Sequence, residues 1–145
     1  MNQRRATFRD AQALARIHRS ATKTAMPFLP DLHSPAEDLA FYQTVVLKEC
    51  DVWVLEDTEI RGFIALKPGW VEHLYIATEH QRAGLGSRLL NIAKEQNDQL
   101  QLWTFQRNTG ARAFYEAHGF DAAEFTEGAG NEEQEPDVRY EWQRR

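Results

Sequence analysis

The sequence predicts an α/β (α+β) fold in the order β-α-α-β-β-β-α-β-α-β-β, and three observations carry that prediction. Short strand-like runs rich in Val, Leu, Ile, Trp and Phe are interspersed with longer runs whose apolar residues recur at helical spacing. Two tight turns, Asp57-Thr58-Glu59 and Lys67-Pro68-Gly69, join three successive strands. The stretch from Trp70 to Asn91 then runs strand, glycine-bearing turn, amphipathic helix. A chain of 145 residues is long enough for one domain with one core and too short for two ordinary ones, so residues 1–145 are read as a single domain.

Arg5 to Arg9 reads as the first strand, with Asp10 placed to cap the helix behind it. Leu14, Ile17 and Ala21 share one face of that helix. Pro27 and Pro30 exclude regular helix from Met26 to His33, an apolar connection that must pack against something. Ser34-Pro35-Ala36-Glu37 is a capping box with Pro at the first helical position. Leu39, Tyr42 and Val46 line one face of the second helix. Asp51–Glu56 and Ile60–Leu66 form a hairpin that leads into the central strand at Trp70. The third helix turns Leu85, Leu89, Ile92 and Ala93 inward, and Leu100 to Phe105 follows as a strand. Asn108 caps a short helix with Ala111, Phe114, Tyr115 and His118 on one face, and Gly119 ends it where left-handed backbone is needed. Phe120–Phe125 and Val138–Trp142 are the last strands, joined by the long segment Thr126 to Asp137.

Net charge is −5, from 17 basic and 22 acidic residues, and the excess is local. Glu124, Glu127, Glu132, Glu133, Glu135 and Asp137 crowd one segment that lacks Lys and Arg. Without those six, 16 acids face 17 bases, so no basic surface supports sequence-independent nucleic-acid binding. The acidic segment suits a cationic acceptor, and a solvated charged loop explains it equally well. No apolar run approaches the roughly 20 residues of a membrane span. The N-terminus does not read as a secretory signal. Cys50 is the lone cysteine, and a reducing, cytoplasmic location is expected. No metal-ligand spacing is legible, so no metal is expected.

A strand that feeds a glycine turn and then a helix N-terminus is a place for a pyrophosphate, because the first turn offers unpaired N–H groups and a positive dipole end. Gly84 and Gly86 keep side chains away from that backbone, and Arg82 adds charge. Ser87-Arg88 after Gly86 rules out a P-loop, and Leu89 stands where a Rossmann turn has its third glycine. The pattern Gln/Arg-x-x-Gly-x-Gly/Ala fits Gln81 to Gly86 completely. Asn108, Ala111, Phe114-Tyr115 and Gly119-Phe120 supply a second motif, Asn-x-x-Ala-x-x-Phe-Tyr-x-x-x-Gly-Phe. With both motifs and the element order, most of the chain resembles the GNAT N-acetyltransferase superfamily. That resemblance implies a mixed, largely antiparallel sheet, splayed where the CoA sits.

The resemblance also implies an acetyl-CoA-dependent N-acetyltransferase that works by direct attack in a ternary complex. Pantetheine would pair with the main chain of Leu74, Tyr75 and Ile76, an N–H near Ile76 serving as oxyanion donor. Pyrophosphate would rest on the amides of Arg82, Ala83, Gly84, Leu85, Gly86 and Ser87 behind Gln81, and Asn108 would touch the pantetheine arm. Tyr115 is the expected acid to the thiolate, since a phenol with a pKa near 10 keeps its proton at neutral pH. Glu72 is favoured as base, with His73 beside it on the opposite face unless a bulge intervenes. A base from elsewhere stays open. Phe28, His33, Glu72 and Trp103 are the expected acceptor-binding residues; His18, His80 and His118 receive no role. The acceptor is an amine-bearing small molecule or peptide, with no nucleic acid and no membrane as partner, and the family implies a homodimer. The alternative is a catalytically inactive CoA-binding module of the same fold.

Overall fold

The computed structural model describes residues 1–81 and 83–145. Its strands are β1 (Asn2–Arg5), β2 (Asp51–Glu56), β3 (Ile60–Lys67), β4 (Trp70–Ile76), β5 (Gln99–Phe105), β6 (Asp121–Thr126) and β7 (Asp137–Gln143). They form one sheet in the order β1-β2-β3-β4-β5-β7-β6. Neighbours are antiparallel except β4 and β5, which run parallel. A parallel pair needs a crossover, and α4 (Leu85–Gln96) supplies it. The other helices are α1 (Ala11–Ala25), α2 (Pro35–Phe41), α3 (Leu47–Glu49) and α5 (Thr109–Ala117). A π-turn over Tyr42–Val46 joins α2 to α3. Among the described residues no helix is long and apolar enough to cross a membrane.

Each face of the sheet carries its own apolar cluster. Leu14 and Ile17 of α1, with Tyr42 and Val46, bury Val54, Phe63 and Ala65 on one face. Leu89, Leu90 and Ala93 of α4 and Tyr115 of α5 bury Ile64, Leu100, Leu102, Val138 and Tyr140 on the other. Burial of each such side chain contributes about 1.5–3 kcal/mol, so both helix layers are firmly held. The capping box at α2 forms as expected: Glu37 N–H donates to Ser34 Oγ at 3.1 Å, and Ser34 N–H to Glu37 Oε1 at 2.9 Å.

The first strand lies earlier than the sequence suggests, at Asn2–Arg5, and Asp10 does not cap α1. Thr7 N–H donates to Asp10 Oδ2 at 2.7 Å and turns the chain into a 3₁₀ turn over Phe8–Asp10. The Arg4 guanidinium takes both Asp10 oxygens, at 2.9 and 3.1 Å, and both Glu56 oxygens, at 2.9 and 3.0 Å. A carboxylate engaged by those partners has no lone pair aimed at the helix start.

Strand β4 departs from regular pairing in two places. It meets β5 only at Trp70 opposite Gln101, where Gln101 N–H donates to Gly69 O at 2.9 Å, so the two strands part beyond that bridge. In its ladder with β3, Val71 faces Leu66 and His73 faces Ala65, which leaves Glu72 as the extra residue of a bulge.

Candidate active site

The parting of β4 and β5 leaves backbone groups of β4 without a ladder partner. Ala77 N–H donates to Arg61 O at 2.8 Å, which sets the phase of the ladder with β3. Antiparallel alternation then turns the amides of His73 and Tyr75 toward β3 and those of Leu74 and Ile76 toward the gap. The Gln81 side chain takes the Ile76 carbonyl, Nε2 to O 3.2 Å, and ties the turn down. What remains facing the gap is the N–H and C=O of Leu74 and the N–H of Ile76. The Leu74 and Ile76 side chains pack into the α4 face meanwhile.

At the end of the gap stands the N-terminus of α4. Gly84 precedes it with φ +78, a left-handed conformation that favours glycine. The N–H groups of Leu85, Gly86 and Ser87 open the helix and lack intrahelical acceptors. Ala83 and Gly84 are exposed beside them, and Arg82 lies outside the described residues. Gly86 has a second use. A Cβ there would stand 3.0 Å from two atoms of the Phe114 ring, so the glycine lets α5 approach α4. The Ser87 hydroxyl is turned to α5 too, 2.8 Å from His118 Nε2. His118 Nδ1 sits 2.8 Å from Phe114 O and donates there, while Nε2 engages the Ser87 hydroxyl. Only the main-chain N–H of Ser87 is thus left for an anion. Asn108 caps α5, its Oδ1 accepting from Ala111 N–H at 3.2 Å.

Tyr115 is buried in the cluster beneath α4, edge-on to Phe114 and Phe120. Burial, and after it the neighbouring Tyr75, push its phenol well above the ordinary value. Tyr75 packs on the opposite face of the sheet. There His18 stacks on Tyr75, with ring centroids 4.3 Å apart and planes 17° apart. His73 completes the group, 5.4 Å from His18 and 5.9 Å from Tyr42. The bulge at Glu72 turns His73 into this cluster. His18 Nδ1 lies 2.6 Å from the Tyr42 hydroxyl. Desolvation lowers His18 to about 4 and His73 to about 3, so both rings are neutral at physiological pH. Glu72 itself is exposed, and its charge is felt at Cys50.

Beyond the cluster two loops meet. His33 Nε2 lies 2.7 Å from Glu132 Oε1, and Nδ1 lies 3.6 Å from Glu37 Oε2. Phe28 lies under the Arg107 guanidinium, 3.6 Å from ring centre to Cζ, and Arg107 grips Glu135 through two contacts of 2.7 Å. The acidic segment is therefore a built loop. Asn131 Nδ2 donates to Glu135 O at 2.7 Å and to Asp137 Oδ2 at 3.2 Å, and Gly128 at φ +89 passes so close to Glu135 that a Cβ would be 2.4 Å from its backbone. Trp103 on β5 is exposed and sits opposite Arg139 of β7. Among the described residues no group of three His, Cys, Asp or Glu could hold a metal ion.

Residues 48–122, just over half of the chain, match the model of the acetyltransferase (GNAT) domain family. The chain belongs to this family. The peptidyl-lysine N-acetyltransferase YiaC of Escherichia coli (strain K12) is 31% identical over 70 residues, which span 47% of this chain and 48% of that relative. The match thus covers about half the length of that curated relative. The apo form of YjaB from Escherichia coli has the same fold at a TM-score of 0.82, with 20% identity over 97% of this chain and 96% of the other. YncA from Salmonella typhimurium, solved with its cofactor acetyl-CoA, superposes at a TM-score of 0.72, with 18% identity over 99% of this chain and 93% of that one.

In this GNAT domain Leu74 and Ile76 face the gap with the start of α4 at its end, Tyr115 lies in the core beneath α4, and Phe28 and His33 stand with the acidic loop. His18 and Thr22 share the α1 surface that faces Tyr75, and neither stands out in the sequence as functional. Their spacing of four on one helix was a usable signal. Glu133 was legible only as one acid of the charged segment.

Proposed function

We propose that this protein moves an acetyl group from acetyl-CoA to a primary amine by direct attack in a ternary complex. The carrying observation is the parting of β4 and β5 above a Gly84-capped helix N-terminus, with Tyr115 buried alongside. These residues fit the cosubstrate. The free N–H and C=O of Leu74 and the free N–H of Ile76 match the amides of a pantetheine arm. The first amides of α4 (Leu85, Gly86 and Ser87), with Ala83 and Gly84 ahead of them, suit a pyrophosphate; Arg82 would add its charge. The Asn108 side chain keeps its amide nitrogen for the arm while its oxygen caps α5.

Acetyl-CoA supplies an activated acyl group on sulfur. The amine nitrogen forms the new C–N bond as the C–S bond breaks, and the thiolate departs with the electron pair. The Ile76 N–H is the donor to the carbonyl oxygen as charge grows on it, a fixed dipole that needs no reorganisation. Tyr115 donates a hydrogen bond and then its proton to sulfur. Burial raises the phenol, so it holds its proton until charge develops on sulfur. Glu72, exposed at the bulge, takes the amine's proton through water, while His18 and His73 are too reluctant to charge for that task. The named relatives support the reaction class, and the peptidyl-lysine activity in YiaC's name makes a lysine-bearing peptide a first acceptor to try.

The test is thiol release from acetyl-CoA across small amines, amino acids and lysine peptides, with Tyr115→Phe alongside. Turnover on one acceptor class is expected, with kcat lowered about 10²-fold or more in the variant. Calorimetry should give both proteins similar acetyl-CoA affinity. An unchanged kcat would remove Tyr115 from the mechanism, and failure to bind acetyl-CoA would remove the reading itself.

A further inference from the structure

The turn between β4 and α4 joins the two halves of the proposed acetyl-CoA site. Ile76, with its free N–H, ends β4, and the amides that suit an anion begin at Ala83. The residues between them, Ala77 to Gln81, therefore set where one half lies relative to the other. Arg61 of β3 holds that turn at two points. Its carbonyl accepts from Ala77 N–H at 2.8 Å, and its Nη1 lies 2.6 Å from His80 Nε2. The Thr78 hydroxyl adds a contact with Ser20 of α1 at 3.2 Å. Among the described residues nothing lies within 4 Å of where a Gly84 Cβ would be, so packing does not hold the far end of the loop.

A guanidinium has donors and no acceptor, so His80 Nε2 takes the Arg61 N–H on its lone pair. A protonated ring would turn an N–H against an N–H and set two cations side by side. The contact therefore exists only with neutral His80. Arg61 is itself built in. Its side chain is 15% exposed, Nε donates to Asp57 Oδ1 at 2.8 Å, and Nη1 donates to Glu59 Oε1 at 2.7 Å. The two hydrogens of Nη1 are thus divided between Glu59 and His80. The Glu59 N–H first, and also Arg61, hold the Asp57 carboxyl at about 2, so this anchor keeps its charge at any working pH. With two carboxylates on it, the guanidinium is engaged as a support and its charge is not free for a phosphate. His80 is faced by Arg61 of β3, with Asp57 and Glu59 behind that residue; Glu79 precedes it in the turn, and α1 reaches the turn with the Ser20 and Thr24 hydroxyls.

We propose that Arg61 and His80 are positioning residues for acetyl-CoA: neutral His80, held by Arg61, fixes the turn that spaces the Ile76 N–H from the amides at the start of α4, and protonation of His80 releases that turn. The proposal rests on the acetyl-CoA site of the acetyltransferase reading and deepens it, by making cosubstrate binding depend on pH through one side-chain contact.

The test is calorimetry of the whole protein with acetyl-CoA, which needs neither acceptor nor turnover. It is run at about pH 8 and about pH 5.5, on either side of the range where imidazoles titrate. His80→Gln keeps an acceptor oxygen that does not titrate. It should match the parent at the higher pH. At the lower pH the parent should lose about tenfold more affinity than this variant, the worth of one charge-assisted hydrogen bond. The comparison cancels every other titrating group, the cosubstrate's phosphate included. At the higher pH, His80→Ala and Arg61→Met should each raise Kd about tenfold, and the two together no further, because both delete one contact. With an acceptor present, the acetyl-CoA KM should follow Kd and the acceptor KM should not move. Parallel pH profiles in the parent and His80→Gln, or additive losses in the double variant, would overturn the positioning role and leave the acetyltransferase reading standing. A parent protein that binds no acetyl-CoA at either pH would overturn both.

Discussion

Gly86→Ala gives a prediction whose sign depends on one contact. On helix propensity alone, alanine at the second residue of α4 should stabilise by up to about 1 kcal/mol over glycine. The added Cβ, however, would sit 3.0 Å from Cε1 and Cζ of Phe114. The ring has little room to give, because it lies edge-on to Tyr115 at 5.3 Å and against His118 at 4.4 Å. Overpacking of this kind costs about 1–3 kcal/mol. The expected result is therefore a net loss of about 0–2 kcal/mol, read as the shift in urea midpoint at constant m. In a Phe114→Leu background the obstacle is gone, and the same Gly86→Ala change should stabilise by a few tenths to about 1 kcal/mol. A gain in the parent background would refute the claim that Gly86 serves the approach of α5. The stable double variant separates two uses of the glycine. If it still binds acetyl-CoA as tightly as Phe114→Leu alone, Gly86 is a packing residue. If affinity falls, the bare backbone also serves the anion.

Two pH predictions have opposite signs. His18 and His73 have folded pKa values depressed to about 4 and about 3 from 6.5, so the unfolded chain binds their protons first. Stability should be full above pH 6.5 and fall as pH drops toward 4, by on the order of 2–3 kcal/mol from His18. Urea unfolding that is flat between pH 6.5 and 4.5 would contradict this. His33 is the reverse case, raised first by Glu132 and then also by Glu37. Its bridge to Glu132 should be complete below pH 6.5 and open as pH rises through the elevated value. The His33 ring resonances should titrate above 6.5 in the parent and nearer to it in Glu132→Gln, and a parent midpoint at or below 6.5 would dismiss the bridge.

The sequence by itself determined what local chemistry determines. Ser34 and Glu37 lie three residues apart, so the capping box at α2 was legible and forms as expected. The spacing of Leu85, Leu89, Ile92 and Ala93 placed α4 against the sheet, and Gly84 and Gly119 stand at positive φ where a turn and a helix end were read. The two motifs that carry the family resemblance are also short and contiguous. Asp10 shows the limit of such signals, since a competing partner close in sequence, Thr7, and one from β1, Arg4, take its oxygens away from the helix. Tertiary structure decided the remainder, because those features depend on which distant groups come to share one space. Alternation alone put Glu72 and His73 on opposite faces of an even strand. Pairing with β3 created the bulge that leaves Glu72 in solvent and sends His73 to His18. The acidic segment read equally as a match for a cation or as a solvated loop, and the fold gives Glu132 to His33, Glu135 to Arg107 and Asp137 to Asn131. Gly86 read as room for an anion, and the contact that also requires it comes from Phe114, 28 residues away and on another helix. Periodicity and caps act within a few residues; ion pairs, register and shared burial act across the fold, and no short stretch of sequence encodes them.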